Sequence, residues 1–244
     1  QGTTTAPGAS PGTTATPLPP GVTSKPGTDA PAAAIAGGFL TREAALKASP
    51  RFAIETPSLK GSIALKGARI DDIVLQKYRE QVAPKSPNVV LFSPSGTKDT
   101  FYAEFGWLSG AGATIKLPDA QSEWRLEKGA TLTPASPVTL AWDNGQGHVF
   151  RRTFAIDDNF MFQIDDSVQN TSGTPLTLDH RAIISRHGTP VTQGFYILHE
   201  GMIGVVGEKG LLQEITYSDI LKGVKDGETG QKALEKITGG WLGI

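Results

Sequence analysis

The sequence contains no cysteine in its 244 residues, and that absence removes disulfides, zinc–thiolate sites and thiol nucleophiles from consideration. Lack of Cys names no compartment, although it suits an export route in which stray thiols would be oxidised. A charge excess is missing too: 23 Lys and Arg against 24 Asp and Glu leave a net charge of −1. Nucleic-acid surfaces and polybasic lipid patches need a cationic excess, so neither is expected. No window approaches the roughly 18 apolar residues that a membrane-crossing helix requires. No signal peptide is visible, and the first residue is Gln rather than Met. The chain therefore reads as a processed or engineered fragment.

Catalytic signatures are also lacking. The four histidines, His148, His180, His187 and His199, form no H-x-x-x-H or H-E-x-x-H pair, so no single element carries metal-ligand spacing. The only G-x-S-x-G match, Gly8-Ala9-Ser10-Pro11-Gly12, lacks the strand before and the helix after that a nucleophile elbow needs. No phosphate-binding loop opens a helix. Acidic pairs occur at Asp71-Asp72, Asp157-Asp158 and Asp165-Asp166. Neighbours on a strand face opposite sides, so none is an acid/base dyad, and these residues are expected at turns and exposed faces. Asn170-Thr171-Ser172 matches a glycosylation sequon, a pattern that means little outside a secretory eukaryotic context. No catalytic residue, cofactor or metal site is expected.

Residues 1–38 hold seven Pro, seven Gly, eight Thr and eight Ala, with Lys25 and Asp29 as their only charges. Such a segment cannot bury enough apolar surface to offset its ordering entropy, so a disordered linker is expected there. The remainder, 39–244, is long enough for one sizeable core. Leu40–Ser49 reads as a short helix capped by Thr41, with Glu43 in its first turn and Pro50 stopping it. Beyond Arg51 the pattern changes to period two. Val138, Leu140 and Trp142 share a face; Phe160, Phe162 and Ile164 share another; Leu176, Leu178, His180, Ala182 and Ile184 share a third. His180 is thus a packed or cleft-lining residue. Further strands are expected at Phe52–Thr56, Gly61–Lys66, Ile70–Leu75, Val89–Phe92, Tyr102–Trp107, Thr114–Leu117, His148–Ile156, Gly194–Leu198, Met202–Val206 and Leu211–Thr216.

Turn signals such as Ser93-Pro94-Ser95-Gly96, Asp143-Asn144-Gly145 and Glu208-Lys209-Gly210 separate these runs. About a dozen short strands with helices only at the ends predict an all-β fold, an enlarged two-sheet antiparallel sandwich. Short helices are expected at Ser218–Val224 and Thr229–Ile237, the second stopped by Gly239-Gly240. In that tail Leu234 and Ile237 pack back on the sandwich. Gly239 and Gly240 release the chain, and Trp241, Leu242 and Ile244 sit at a bilayer surface. Trp favours the membrane–water boundary, where its ring is apolar and its N–H stays wet.

Several stretches resemble one family. Leu59-Lys60-Gly61-Ser62-Ile63-Ala64-Leu65-Lys66-Gly67-Ala68-Arg69-Ile70-Asp71-Asp72 is similar to the opening strands of the large periplasmic domain of the YidC family of bacterial membrane protein insertases. Leu91-Phe92-Ser93-Pro94-Ser95-Gly96, Tyr102-Ala103-Glu104-Phe105-Gly106-Trp107, Trp142-Asp143-Asn144-Gly145 and Ser185-Arg186-His187-Gly188 follow in the family's order. Thr238-Gly239-Gly240-Trp241-Leu242-Gly243-Ile244 resembles the segment leading toward that family's membrane core. The resemblance covers roughly residues 41–244, and several motifs in order are far more specific than any one.

The resemblance implies a supersandwich similar to galactose-mutarotase-like folds. It also implies a periplasmic domain at the inner membrane that helps insert and fold membrane proteins, alone or with the Sec translocon. The partners it implies are SecD/SecF, nascent inner-membrane proteins and the membrane itself, the last through segments absent from this sequence. None of the family's membrane-embedded groove lies in this chain, so no insertase residue transfers to it. A second class stays open: a sugar-binding or sugar-modifying sandwich using His148, His180, His187 and His199 with Glu200.

Overall fold

The computed structural model describes residues 38–110, 114–188, 190, 199–206, 210–225 and 240–244. The linker expected at 1–38, the strand expected at Gly194–Leu198 and the helix expected at Thr229–Ile237 therefore lie outside the described residues, apart from Gly38.

The described chain opens with helix α1, Arg42–Lys47, which begins where Thr41 leaves extended geometry and its hydroxyl accepts from the Ala44 N–H at 3.2 Å. Six residues are too few for an isolated helix to persist. Burial of Leu40 and Ala45 and an ion pair from Arg42 to Asp72 hold it against the sheet.

Seven strands follow. They are β1 (Arg51–Glu55), β2 (Leu59–Ala64), β3 (Arg69–Arg79), β4 (Asn88–Phe92), β5 (Phe101–Ser109), β6 (Arg125–Lys128) and β7 (Thr131–Leu132). The next four are β8 (Val138–Asp143), β9 (His148–Ile156), β10 (Phe162–Asn170) and β11 (Leu178–Arg186). The larger sheet runs β11-β5-β3-β2-β1-β7, with β4 on the far half of the long β3. The smaller runs β10-β9-β8-β6. Pairing is antiparallel except between β1 and β7, where Ala53 and Ile54 run parallel to Thr131 and Leu132. At Gly61 the strands lie so close that a Cβ would fall 1.9 Å from the Asp72 carbonyl oxygen.

The two sheets face each other across one core. Ile54, Ile63, Ile70, Ile73 and Trp107 from the larger meet Val138, Leu140, Phe150, Phe154 and Ile156 from the smaller. Contact is direct: Phe52 lies 5.8 Å from Phe154 and Trp107 lies 5.0 Å from Phe150, centroid to centroid. The fold is the expected all-β sandwich. A separate three-stranded sheet adds to it, with β12 (Gly201–Val206) between β13 (Leu211–Thr216) and β14 (Gly240–Gly243). Helix α2 (Tyr217–Lys225) follows β13 directly and overlaps the helix expected at Ser218–Val224.

Four local expectations need correction. Residues 114–117 form no strand, because their main chain is bonded by side chains: Lys116 N–H donates to Gln146 Oε1 and its carbonyl accepts from Asn144 Nδ2. Phe160 belongs to a turn, with φ of 71°, where the Asp157 carboxylate accepts from Asn159 and Met161 N–H groups. On β11, Ala182 and Ile184 do share a face with Trp107 but stay exposed. Asp71 and Asp72 mark no exposed face: both are buried, Asp72 paired with Arg42 of α1 and Asp71 with Arg51 of β1. A β-bulge between Ser62 and Ile63 shifts the β2–β3 register at this point, so the period-two rule for adjacent residues does not hold there. Burial outweighs Arg51 and Arg69 and pushes the Asp71 carboxyl above its ordinary value.

Candidate functional site

β9 presents His148, Phe150, Arg152, Phe154 and Ile156 to the core, all five buried. A cation in the middle of such a row must be paired, since an isolated charge in low dielectric is prohibitively costly. Its partner is Asp166, directly opposite on β10. Arg152 Nε donates to Oδ1 at 2.8 Å and Nη2 to Oδ2 at 2.9 Å, a bidentate pair. The guanidinium carbon also sits 5.2 to 5.5 Å from the rings of Trp107, Trp124 and Phe105, within cation–π range. This pair overturns the expectation that Asp165-Asp166 lies on an exposed face: Asp165 does, but Asp166 points inward.

His180 completes the cluster from β11. Its Nε2 lies 2.6 Å from Asp166 Oδ2, and its ring packs beside Phe105 and Trp107. Arg152 and Asp166 are closed off from solvent while 46 % of the His180 side chain is exposed. His180 therefore forms the wall of a cleft of about 590 Å³ between β10 and β11, with Trp107, Ile164, Val168 and Leu178 among its lining. The chain passes from the smaller sheet to the larger one through residues 171–177, of which Leu176 lines the cleft.

The other histidines stand elsewhere. His148 is buried against Asn144 in the 143–148 turn. The His187 ring lies beside Tyr102, and His199 contacts the Met202 carbonyl oxygen. Among the described residues no three His, Asp or Glu side chains are placed to hold a metal ion.

The tail residues divide. Leu234, Ile237 and Gly239 lie outside the described residues. Gly240, Trp241 and Leu242 form β14 and pair with Val206, Val205 and Gly204 of β12. The chain is thus not released at Gly240, as the Gly-Gly pair suggested; it enters a strand. Gly204 permits this approach, since a Cβ there would fall 2.6 Å from Leu242 Cδ2. Trp241 and Leu242 still show more than half their surface to solvent. No helix among the described residues is long and apolar enough to cross a membrane.

Arg152 and Asp166 were missed by the sequence reading. Their signal was present, because each is a charge in phase with an apolar row, Phe150–Phe154 in one case and Ile164–Val168 in the other.

The profile of the YidC periplasmic domain matches residues 51–244. Among similar proteins, a membrane protein insertase YidC of Methylobacterium radiotolerans is 53 % identical over 210 residues, covering 85 % of this chain and 33 % of that protein. The protein of the same name from Bradyrhizobium diazoefficiens is 50 % identical over 205 residues, 84 % of this chain and 32 % of its own. That of Rhizobium meliloti is 45 % identical over 219 residues, 90 % and 36 % respectively. The chain thus spans about a third of the length of the curated relatives it matches. With the profile covering most of its length, and the stretches singled out between Leu59 and Ile244 all inside that match, this chain belongs to the YidC periplasmic domain family.

Proposed function

We propose that this chain is the periplasmic interaction domain of an inner-membrane protein insertase. Its work is to dock partners, contact polypeptide undergoing insertion and position the membrane core, and it breaks no bonds. The partners are nascent inner-membrane proteins and the Sec translocon with SecD/SecF. The membrane is reached through segments outside this chain, with Trp241 and Leu242 on the side nearest to it. The observation that carries this reading is the family match over 51–244. The cleft supports it: Asp166, a carboxylate in its lining, is engaged by Arg152 and His180, an arrangement suited to holding a wall in place. The sugar-site reading is weaker on this geometry, because the inward polar side chains Asp166 and His180 bond each other and Arg152, which leaves Asp165, among the described residues, as the one lining carboxylate open to a ligand.

The test uses the full-length protein with single cysteines engineered into this domain, which has no native Cys. Cysteines at exposed Leu242, Leu91 and Ile184 are expected to crosslink to Sec components or to an inserting substrate above the level of a buried position such as Phe154. Uniform background crosslinking, together with full insertion after deletion of the domain, would overturn the proposal.

A further inference from the structure

Away from the cleft, one rim of the sandwich holds apolar side chains out in solvent. Past Gln76, β3 pairs only with β4 among the described residues, with Arg79 opposite Asn88. Residues 77–88 therefore form a two-stranded ribbon, and residues 77–80 are all exposed. The ribbon's loop is fixed from within. The buried Ser86 accepts from the Gln81 N–H at 2.8 Å, and its carbonyl oxygen accepts from Arg79 Nη1 at 2.7 Å. Val82 stands fully exposed in that loop.

The β9–β10 turn of the smaller sheet meets this ribbon, since the Tyr78 and Phe160 ring centroids lie 6.2 Å apart. Phe160 is held at φ of 71°, a region that bulky side chains rarely adopt. The Asp157 carboxylate imposes the turn through the Asn159 and Met161 N–H groups, and Ser58 Oγ anchors it by donating to the Asp158 carbonyl oxygen. The outcome is exposure. Met161 keeps 67 % of its surface in solvent, and Tyr78 and Phe160 are exposed as well. Apolar side chains fixed on rigid turns lose little freedom when a partner covers them.

Charge selects the partner. The ribbon carries Lys77, Arg79 and Lys85 against Glu80 alone, whereas the turn at 157–161 carries Asp157 and Asp158 and no cation. Among the described residues none of these charges forms an ion pair. A two-fold axis through the patch sets the ribbon of one copy against the turn of the other, so the opposite charges meet twice. An anionic lipid surface fits less well, because the carboxylates beside Phe160 repel it.

We infer that this rim is a self-association face, on which a second copy of the chain docks across Tyr78, Phe160 and Met161 with the basic ribbon of each copy on the acidic turn of the other. The inference goes beyond the interaction-domain reading and does not depend on it.

Sedimentation equilibrium of the 244-residue chain over a concentration series tests it. A reversible monomer–dimer equilibrium is expected. Met161→Glu, at an exposed turn position, is expected to weaken association by about tenfold, with circular dichroism checking the fold. Lys77→Glu with Lys85→Glu reverses the ribbon, and Asp158→Lys with Asn159→Lys reverses the turn. Each variant alone is expected to associate about tenfold more weakly than the parent at low salt. An equimolar mixture of the two is expected to dimerise as tightly as the parent, a recovery that only contact between two copies produces. A chain monomeric at every concentration would overturn the inference. So would a mixture no tighter than its components, or a dimer indifferent to a folded Met161→Glu variant. Co-sedimentation with phosphatidylglycerol vesicles is the last arm: Met161-dependent capture of a chain that stays monomeric would assign the rim to a lipid surface and overturn the inference too.

Discussion

β9 and β12 are both central strands, each paired on two sides, yet they meet different fates. The inward row of β9 is buried along its whole length. Around β12, Leu211, Leu212, Trp241 and Leu242 each keep more than half their surface exposed. Pairing alone satisfies the main chain, but only a second layer buries a face. The sandwich has that layer, since Phe150 and Phe154 meet Trp107 and Phe52 from the opposite sheet. Strand formation and burial are therefore separate events, and the energy resides in the second.

The contrast can be broken most sharply by truncation. Phe154→Ala, at a site with no exposed surface, is expected to cost about 3–5 kcal/mol, whereas Leu212→Ala, at 55 % exposure, should stay within about 0.5 kcal/mol. Urea unfolding of both variants measures the gap, and similar costs would mean that the small sheet is packed as tightly as the sandwich. Next in size is the buried pair. Arg152→Met leaves Asp166 with His180 alone and is expected to cost roughly 3 kcal/mol. The double change Arg152→Met with Asp166→Leu should recover much of that loss, because it leaves no unpaired charge in the core. A double variant as unstable as the single one would show that packing, rather than charge, sets the cost.

A smaller effect sharpens the comparison from the other side. Gly204→Ala places a methyl against Leu242 and the Trp241 carbonyl, so β14 should separate from β12. Hydrogen exchange at residues 240–243 is expected to accelerate while the unfolding midpoint of the sandwich moves little. The smallest effect concerns pH. Burial raises the Asp71 carboxyl above its ordinary 3.8, so the folded protein keeps that proton to higher pH than the unfolded chain. Asp71's contribution to stability therefore falls as pH rises from about 3.8 through the folded value. Asp71→Asn removes this slope, and its stability relative to the parent should improve over that interval. A difference independent of pH would show that Asp71 titrates alike in both states.

Much of the sandwich was legible because period-two alternation reports a strand with one buried face. His148–Ile156 was read with both ends correct, since every second residue in it is large and apolar or in phase with such residues. β6 and β7 escaped notice: one is exposed along its length and the other has two residues, too little for any period to register. The cleft was half legible. His180 stood out by its phase, but its partner was masked by the assumption that a paired Asp-Asp marks a turn.

The sequence by itself determined the fold class, the absence of thiol chemistry and the family, because alternation, composition and ordered motifs are local properties that need no partner to be read. Only tertiary structure decided where the charges go. Arg152, Asp166 and His180 lie on three strands of two sheets, and nothing in their spacing requires them to meet. They meet because the sheets stack with these residues facing inward, where low dielectric makes an unpaired charge untenable and a paired one stable. The fate of Gly240 was likewise tertiary: a glycine releases the chain or joins a strand according to whether an edge such as that of β12 receives it, and Gly240 pairs there with Val206.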